Sequence, residues 1–161
     1  MLLSILLLGS LLTAPNPDNI DAVARLIYVE TGMRGTKEER AAIAWVARNH
    51  ATQYKATLQD IAFGRVKKPK YKQWAPTWNT SNVFKLRLAK AHKWPKWEQA
   101  KREAEAVLRG KVKNPIGRRL SFIATRTQKK LGRKLPLWMI PKRLGGTAKN
   151  EPITIGRHTF S

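Results

Sequence analysis

The chain has 161 residues, of which 32 are Lys or Arg and only 10 are Asp or Glu, so its formal net charge is +22. It contains no cysteine, which excludes disulfide scaffolds, thiolate nucleophiles and cysteine-based zinc sites. Such a basic surface attracts polyanions, including nucleic acid, teichoic acid, lipopolysaccharide and peptidoglycan carboxylates, and it argues against an ordinary cytosolic metabolic enzyme. The length allows one domain with a sizeable core.

The first 17 residues, MLLSILLLGSLLTAPNP, are apolar and carry no charged side chain. The run from Leu2 to Ala14 has the length of a signal-peptide core and is too short for an ordinary membrane-spanning helix. It lacks a preceding Lys or Arg, and its cleavage site is poor. We interpret residues 1–17 as a signal peptide or short anchor that contacts a membrane through residues 1–14, with a docking segment in a larger assembly as the alternative. The folded domain is predicted to span residues 18–161.

Two helices are predicted in the first third of this domain. The first has Asp18 as its N-cap and stops at Gly32, and its apolar stripe consists of Ile20, Val23, Ala24 and Ile27. The second begins with the capping box Thr36-Lys37-Glu38-Glu39 and presents Ala42, Ile43, Val46 and Ala47 on one face.

The remaining elements are shorter or less regular. We predict a short helix at residues 58–63, a loop at 64–81, a helical stretch at 82–93, and a helix from Pro95 to Arg109 that ends at Gly110. Beyond Gly110, prolines and glycines recur, residues 120–124 and 153–160 look extended, and no long helix is evident. The predicted fold class is therefore α+β, mostly α, with short strands and loops in the C-terminal third.

Glu30 is the strongest catalytic candidate. Helical spacing places it on the apolar side of the first helix, with Val23, Leu26 and Ile27. It also falls in the last helical turn, where unpaired carbonyls disfavour a second negative charge. Partial burial and the helix end both raise a carboxyl pKa, as general acid catalysis near neutral pH requires. The alternative is a salt bridge to Arg25, Arg34 or Arg48.

Few other residues have a pattern that indicates chemistry. Gln73 and Trp74 suit a sugar cleft, because aromatic faces stack on pyranose rings and amides bond hydroxyl groups; the alternative is that the tryptophan covers the core under a long loop. Tyr28 lies on a different helix face from Glu30, and packing is its default role. The histidines lack metal-ligand spacing, so we predict neither a metal nor a cofactor.

Several segments resemble the SleB-type cell-wall hydrolases, which are spore-cortex lytic enzymes and their phage relatives. ARLIYVETG and EERAAIAWVARNH resemble the family's first two helices, and YKQWAPTWN resembles its Gln-aromatic loop. AEAVLRGKVKNPIG, LSF, PLW and ITIGRHTF follow in the family's order, so the resemblance covers about residues 20–160.

The resemblance implies a fold related to lysozyme and lytic transglycosylases, and cleavage between N-acetylmuramic acid and N-acetylglucosamine. It places the catalytic glutamate at Glu30 and a supporting role at Tyr28. His158 matches the closing motif, where it either lines the cleft or ties down the terminal strand. Ser121 and Phe122 match the Thr-His-Phe segment, but Ser121 replaces the family histidine, which puts turnover in doubt.

The leading interpretation is thus a glycan-strand-cleaving enzyme, more a lytic transglycosylase than a hydrolase, that is exported or carried in a phage virion. Its expected partners are peptidoglycan strands and, through the basic surface, anionic envelope polymers. One alternative is a non-catalytic peptidoglycan-binding derivative of the same fold. Another is a nucleic-acid-binding or virion structural protein, which the charge alone supports.

Overall fold

The computed structural model describes residues 15–63, 91–149 and 151–161. Within these ranges the helices are α1 (Pro17–Thr31), α2 (Lys37–Tyr54), α3 (Leu58–Phe63), α4 (Trp97–Leu108) and α5 (Thr125–Lys130). The strands are β1 (Phe122–Ile123), β2 (Ile153–Ile155) and β3 (His158–Phe160), and single 3-10 turns occupy Ala91–Lys93, Leu137–Met139 and Lys142–Leu144. The predicted class, mostly helical with a small β part in the C-terminal third, is confirmed.

The start of α1 differs from the prediction. Asn16, and not Asp18, is the N-cap, because its side-chain oxygen accepts a hydrogen bond from the Asp18 N–H at 2.8 Å. Pro17 then occupies the first helical turn, where its fixed φ fits and its missing N–H costs nothing. The predicted stop is confirmed: Gly32 adopts φ +57° and its N–H donates to the Tyr28 carbonyl at 2.7 Å.

Helix α2 begins as predicted at Thr36, whose hydroxyl accepts a hydrogen bond from the Glu39 N–H at 3.1 Å. Its apolar face is buried at Ala42, Ile43, Val46 and Ala47, also as predicted. Many of the buried residues on α1 and α2 are alanines, and these two helices pack against each other and against α3 and α4. The short helix at Leu58–Phe63 is confirmed as α3.

Helix α4 begins two residues later than predicted. Pro95 lies in a turn that the Trp97 N–H closes by donating to the Trp94 carbonyl at 3.2 Å, and Lys96 has φ +60°. Both flanking tryptophans pack inward, since Trp97 is buried and Trp94 stacks on α1. Because both tryptophans pack inward, residues 94–97 form a turn where the sequence pattern predicted the first turn of the helix. Of the helical stretch predicted at 82–93, only Ala91–Lys93 is described, as a 3-10 turn.

The three strands form an antiparallel sheet in the order β1-β3-β2, with Phe122 paired to Phe160 and Ile153 also paired to Phe160. Two side chains near the end of α2 bind the segment that precedes β1. The Asn49 amide donates to two backbone carbonyls, at Gly117 and Arg119, and His50 Nε2 lies 2.6 Å from the Leu120 carbonyl. The end of α2 is therefore hydrogen-bonded to the segment that leads into β1.

None of the helices in the described ranges is both long and apolar enough to cross a membrane. Residues 1–14, where membrane contact was predicted, lie outside those ranges.

Candidate functional site

Glu30 lies in the last turn of α1, with its carboxyl in a largely dehydrated environment. The apolar neighbours predicted from helical spacing are all buried, with Val23, Leu26 and Ile27 exposed by at most 1%. Loss of hydration raises the pKa of the Glu30 carboxyl from 4.5 to about 7. A group with this pKa is present in both protonation states near neutral pH, as an acid that must donate and recover a proton requires.

The other carboxylates of the described ranges are exposed or engaged. Two of them, Asp18 and Glu38, are exposed and form no ion pair within these ranges. The others accept hydrogen bonds or pair with cations: Asp21 with Arg25, Glu39 with His158, Asp60 with Thr57, Glu98 with Lys101, Glu103 with Arg40, Glu105 with Arg109 and Glu151 with Arg143. Glu30 is the one half-buried carboxylate in these ranges that has neither kind of partner. Its position therefore has no explanation as a structural ion pair.

The salt bridges considered for Glu30 do not form. Arg25 pairs with Asp21 at 2.5 Å along the same helix. Arg48 donates to the Val107 carbonyl at 2.8 Å, and its guanidinium lies 4.3 Å from the centre of the Trp45 ring. Both cations are thus engaged elsewhere, and the third, Arg34, is exposed and does not pair with Glu30, so the carboxyl of Glu30 keeps its raised pKa.

Tyr28 stacks on Trp94, with ring centroids 4.4 Å apart and planes inclined by 28°. Trp94 also meets Trp97 edge-on at 6.0 Å. Tyr28 remains half-buried. One face of the Tyr28 ring is therefore used for packing, next to the turn that carries Glu30. Packing is the default role predicted for Tyr28. Trp94 was not singled out from the sequence, since it lies between two lysine-rich stretches that look like solvent-exposed chain.

A buried Glu39–His158 pair lies between the start of α2 and strand β3. Glu39 is 0% exposed and His158 is 3% exposed, and His158 Nδ1 is 2.6 Å from the Glu39 carboxylate. The same carboxylate oxygen accepts the Arg157 N–H at 2.8 Å. Burial raises the pKa of Glu39, but the hydrogen bonds from His158 and from the Arg157 N–H, together with their charges, outweigh it and hold the pKa below 4.5.

This pair corrects the predicted capping box at Glu39 and bears on the two roles predicted for His158. Glu39 does not complete a reciprocal capping box, because its side chain turns toward His158 and the Arg157 N–H. His158 is buried against α2, so the structure favours tying down the terminal strand over lining an open cleft. The pairing spans 119 residues, and local patterns gave no sign of it. The available clue was that a glycine lies near each partner, Gly35 near Glu39 and Gly156 near His158.

Two glycines make room for the Glu39 carboxylate. A Cβ at Gly35 would lie 1.9 Å from a carboxylate oxygen, and a Cβ at Gly156 would lie 2.8 Å from the carboxylate. Arg157 extends the connection to α1, because its Nη2 donates to the Thr31 carbonyl at 3.0 Å. The β2–β3 turn is thus bound to the residue that directly follows Glu30.

Ser121 and Phe122 lie at the edge of the same arrangement. The backbone of Ser121 exchanges two hydrogen bonds with Ser161, at 3.0 and 2.9 Å. The Phe122 ring meets His158 edge-on at 5.3 Å and lies 5.8 Å from Phe160. Both residues are half-buried, so they support the sheet that packs against α2.

The remaining predicted residues divide by location. Gln73 and Trp74 lie outside the described residues. Asp60, at the start of α3, accepts a hydrogen bond from the Thr57 hydroxyl at 2.7 Å. Glu98 is exposed on α4 and pairs with Lys101 at 2.9 Å. In the part of the chain that the structure describes, no three His, Asp or Glu side chains are grouped so that they could hold a metal ion.

The chain was compared with protein-family models, with curated protein sequences and with solved structures, and none of them matches it.

Proposed function

We propose that this protein cleaves the glycan strands of peptidoglycan between N-acetylmuramic acid and N-acetylglucosamine, with Glu30 as its general acid and base. The observation that carries the proposal is the half-buried carboxyl of Glu30, which has a pKa of about 7 and no ionic partner in the described ranges. The resemblance to the SleB-type hydrolases supplies the substrate and the related lysozyme-like fold. The mostly helical body with a small sheet is compatible with that fold.

The reaction can proceed with this single carboxyl. In its protonated form Glu30 gives its proton to the glycosidic oxygen, the bond from C1 of N-acetylmuramic acid to that oxygen breaks, and N-acetylglucosamine leaves as an alcohol. The resulting carboxylate accepts the proton of the muramyl C6 hydroxyl while that oxygen bonds to C1. The product is a 1,6-anhydro sugar, no water is consumed, and Glu30 is protonated again. The paired carboxylates of ordinary glycosidases are not needed.

A carboxyl with a pKa near 7 suits both halves of this cycle. It is acidic enough to protonate a leaving alkoxide and basic enough, once ionised, to accept the proton of a hydroxyl group. The Glu39–His158 pair and the bond from Arg157 to Thr31 hold the sheet against the end of α1, and so keep the last turn of the helix in place. These residues have a positioning role.

Digestion of purified sacculi tests the proposal. We expect the wild-type protein to release anhydro-muropeptides, detectable by mass spectrometry, and Glu30→Gln to release none while it remains folded. Glu98→Gln is the matched control, because it removes an exposed helical carboxylate and should leave product release unchanged.

The alternatives give different outcomes in the same assay. Unchanged release by Glu30→Gln would refute the role of Glu30. Hydrolysed rather than anhydro ends would keep Glu30 as the acid but replace the internal hydroxyl by water. Binding of the wild-type protein to sacculi without any cleavage would identify the non-catalytic derivative that the Ser121 replacement suggests. Salt-sensitive binding to DNA without binding to sacculi would favour the nucleic-acid alternative.

A further inference from the structure

The positive charge of the protein is unevenly distributed along the chain. Residues 17–63, which form α1 to α3, contain six Lys or Arg and six Asp or Glu, so this part of the helical body has no net charge. Residues 106–149 contain thirteen Lys or Arg and no acidic residue. All of these cations except Arg119 are exposed. Of these two parts of the chain, the C-terminal segment, and not α1 to α3, therefore has the character of a cationic surface.

The same segment exposes leucines. The exposed large apolar side chains of the described ranges are Leu131, Leu137 and Leu144, at 57%, 58% and 63% exposure. All three lie between residues 131 and 144, each within a few residues of exposed Lys or Arg. Single exposed leucines are common on protein surfaces, but all three of those in the described ranges lie in a segment that has many cations and no acidic residue.

Two of the three leucines, Leu137 and Leu144, are presented by an ordered loop, and Leu131 directly follows α5. The Thr147 N–H donates to the Leu137 carbonyl at 2.7 Å, and the Ala148 N–H donates to the Ile140 carbonyl at 3.1 Å, which closes the loop on itself. Met139 is buried beneath it, and the Ser161 hydroxyl donates to the Trp138 carbonyl at 2.9 Å. The loop is therefore held both by its own hydrogen bonds and by the contacts beneath it, and this fold keeps Leu137 and Leu144 exposed.

We infer that residues 126–149 form a docking surface for an anionic phospholipid bilayer, with lysines and arginines at the headgroups and leucines in the interface. Lysine and arginine side chains are attracted to anionic headgroups, and exposed leucines gain free energy by entering the boundary of the acyl chains. A soluble polyanion such as DNA would use the cations but would leave the leucines in water. The combination therefore favours a lipid surface over nucleic acid, and it does not depend on the role of Glu30.

Co-sedimentation with vesicles tests this inference on the full chain. We expect the wild-type protein to bind vesicles of phosphatidylcholine with phosphatidylglycerol more tightly than vesicles of phosphatidylcholine alone. Replacing Lys129, Lys130 and Arg133 by Gln should weaken binding to the anionic vesicles by about 100-fold, since each cation near such a surface contributes about fivefold. Replacing the three leucines by Gln should weaken it by about tenfold or more.

A matched control separates location from net charge. Lys37, Lys93 and Arg102 are exposed on the helical body, and their replacement by Gln changes the charge by the same amount. We expect this control to bind like the wild-type protein. All variants retain residues 1–14, so any membrane contact of that segment is common to them. Equal binding by the leucine variant and the wild type, or equal loss in the control and the 129–133 variant, would overturn the inference.

Discussion

Replacement of Glu30 by Gln should stabilise the protein at high pH even as it abolishes cleavage. In the unfolded chain the carboxyl ionises above pH 4.5, whereas burial in the folded protein raises its pKa to about 7. Between these two values the folded state holds a proton that the unfolded state has released. The folded protein therefore loses stability as pH rises from 4.5 toward 7, and the loss stays constant above that range.

The size of the effect follows from the two pKa values. Their difference corresponds to a free energy of about 3 kcal/mol, and this is an upper value because the side chain keeps some contact with water. Glutamine has nearly the same shape and does not ionise. We expect the free energy of unfolding of Glu30→Gln, relative to wild type, to rise by about 1–3 kcal/mol between about pH 4 and pH 8.

Urea unfolding at a series of pH values measures this difference, and contributions from distant carboxylates cancel between the two proteins. Glu98→Gln serves as the control, because this exposed side chain should change the free energy of unfolding by less than about 0.5 kcal/mol. A difference between Glu30→Gln and wild type that does not vary with pH would refute the claim that burial raises the pKa of Glu30. It would also remove the main support for its catalytic role.

Three further predictions concern the elements that hold the site. Gly156→Ala should destabilise the protein by about 2 kcal/mol or more, because the new Cβ would meet the carboxylate of Glu39. The control is Gly132→Ala, which has a similar positive φ but open space around it and should cost about 1 kcal/mol. Thermal or urea unfolding measures both. Equal costs would contradict the close packing. Glu103→Ala leaves a buried guanidinium unpaired and should cost about 2–4 kcal/mol, against less than about 1 kcal/mol for Glu98→Ala. Finally, because the pKa of Glu39 is lowered, its contribution to stability is present above pH 4.5 and is lost as the pH falls. In Glu39→Gln, the free energy of unfolding should therefore fall less steeply at acidic pH than in the wild type. An unchanged dependence on acidic pH would argue against the Glu39–His158 pair.

The helical part of the fold was largely predictable because its determinants are local. Thr36 caps α2 and Gly32 ends α1 through contacts within a few residues, so the sequence pattern reveals them directly. Where two local rules competed, the prediction was wrong. Asp18 is a good capping residue, but Asn16 followed by a proline in the first turn is the arrangement that forms.

The partners of the site residues were not predictable, because they depend on contacts between distant parts of the chain. Glu39 has the right spacing from Thr36 for a capping box, yet its carboxylate is taken by His158, which the terminal hairpin brings against α2. A polar side chain buried in low dielectric binds the strongest donor that the packing supplies, whatever its position in the sequence.

The sequence by itself placed Glu30 on the apolar face of α1 and at its last turn, because helical periodicity and a glycine stop determine both. The pairing of Arg25 with Asp21 is also local to α1, but only the tertiary structure decided that Arg48 donates to the Val107 carbonyl and that the Glu30 carboxyl stays unpaired within the described ranges. Periodicity defines which face a residue occupies. The packing of the other helices defines how much water and which charges reach it, and these set its pKa.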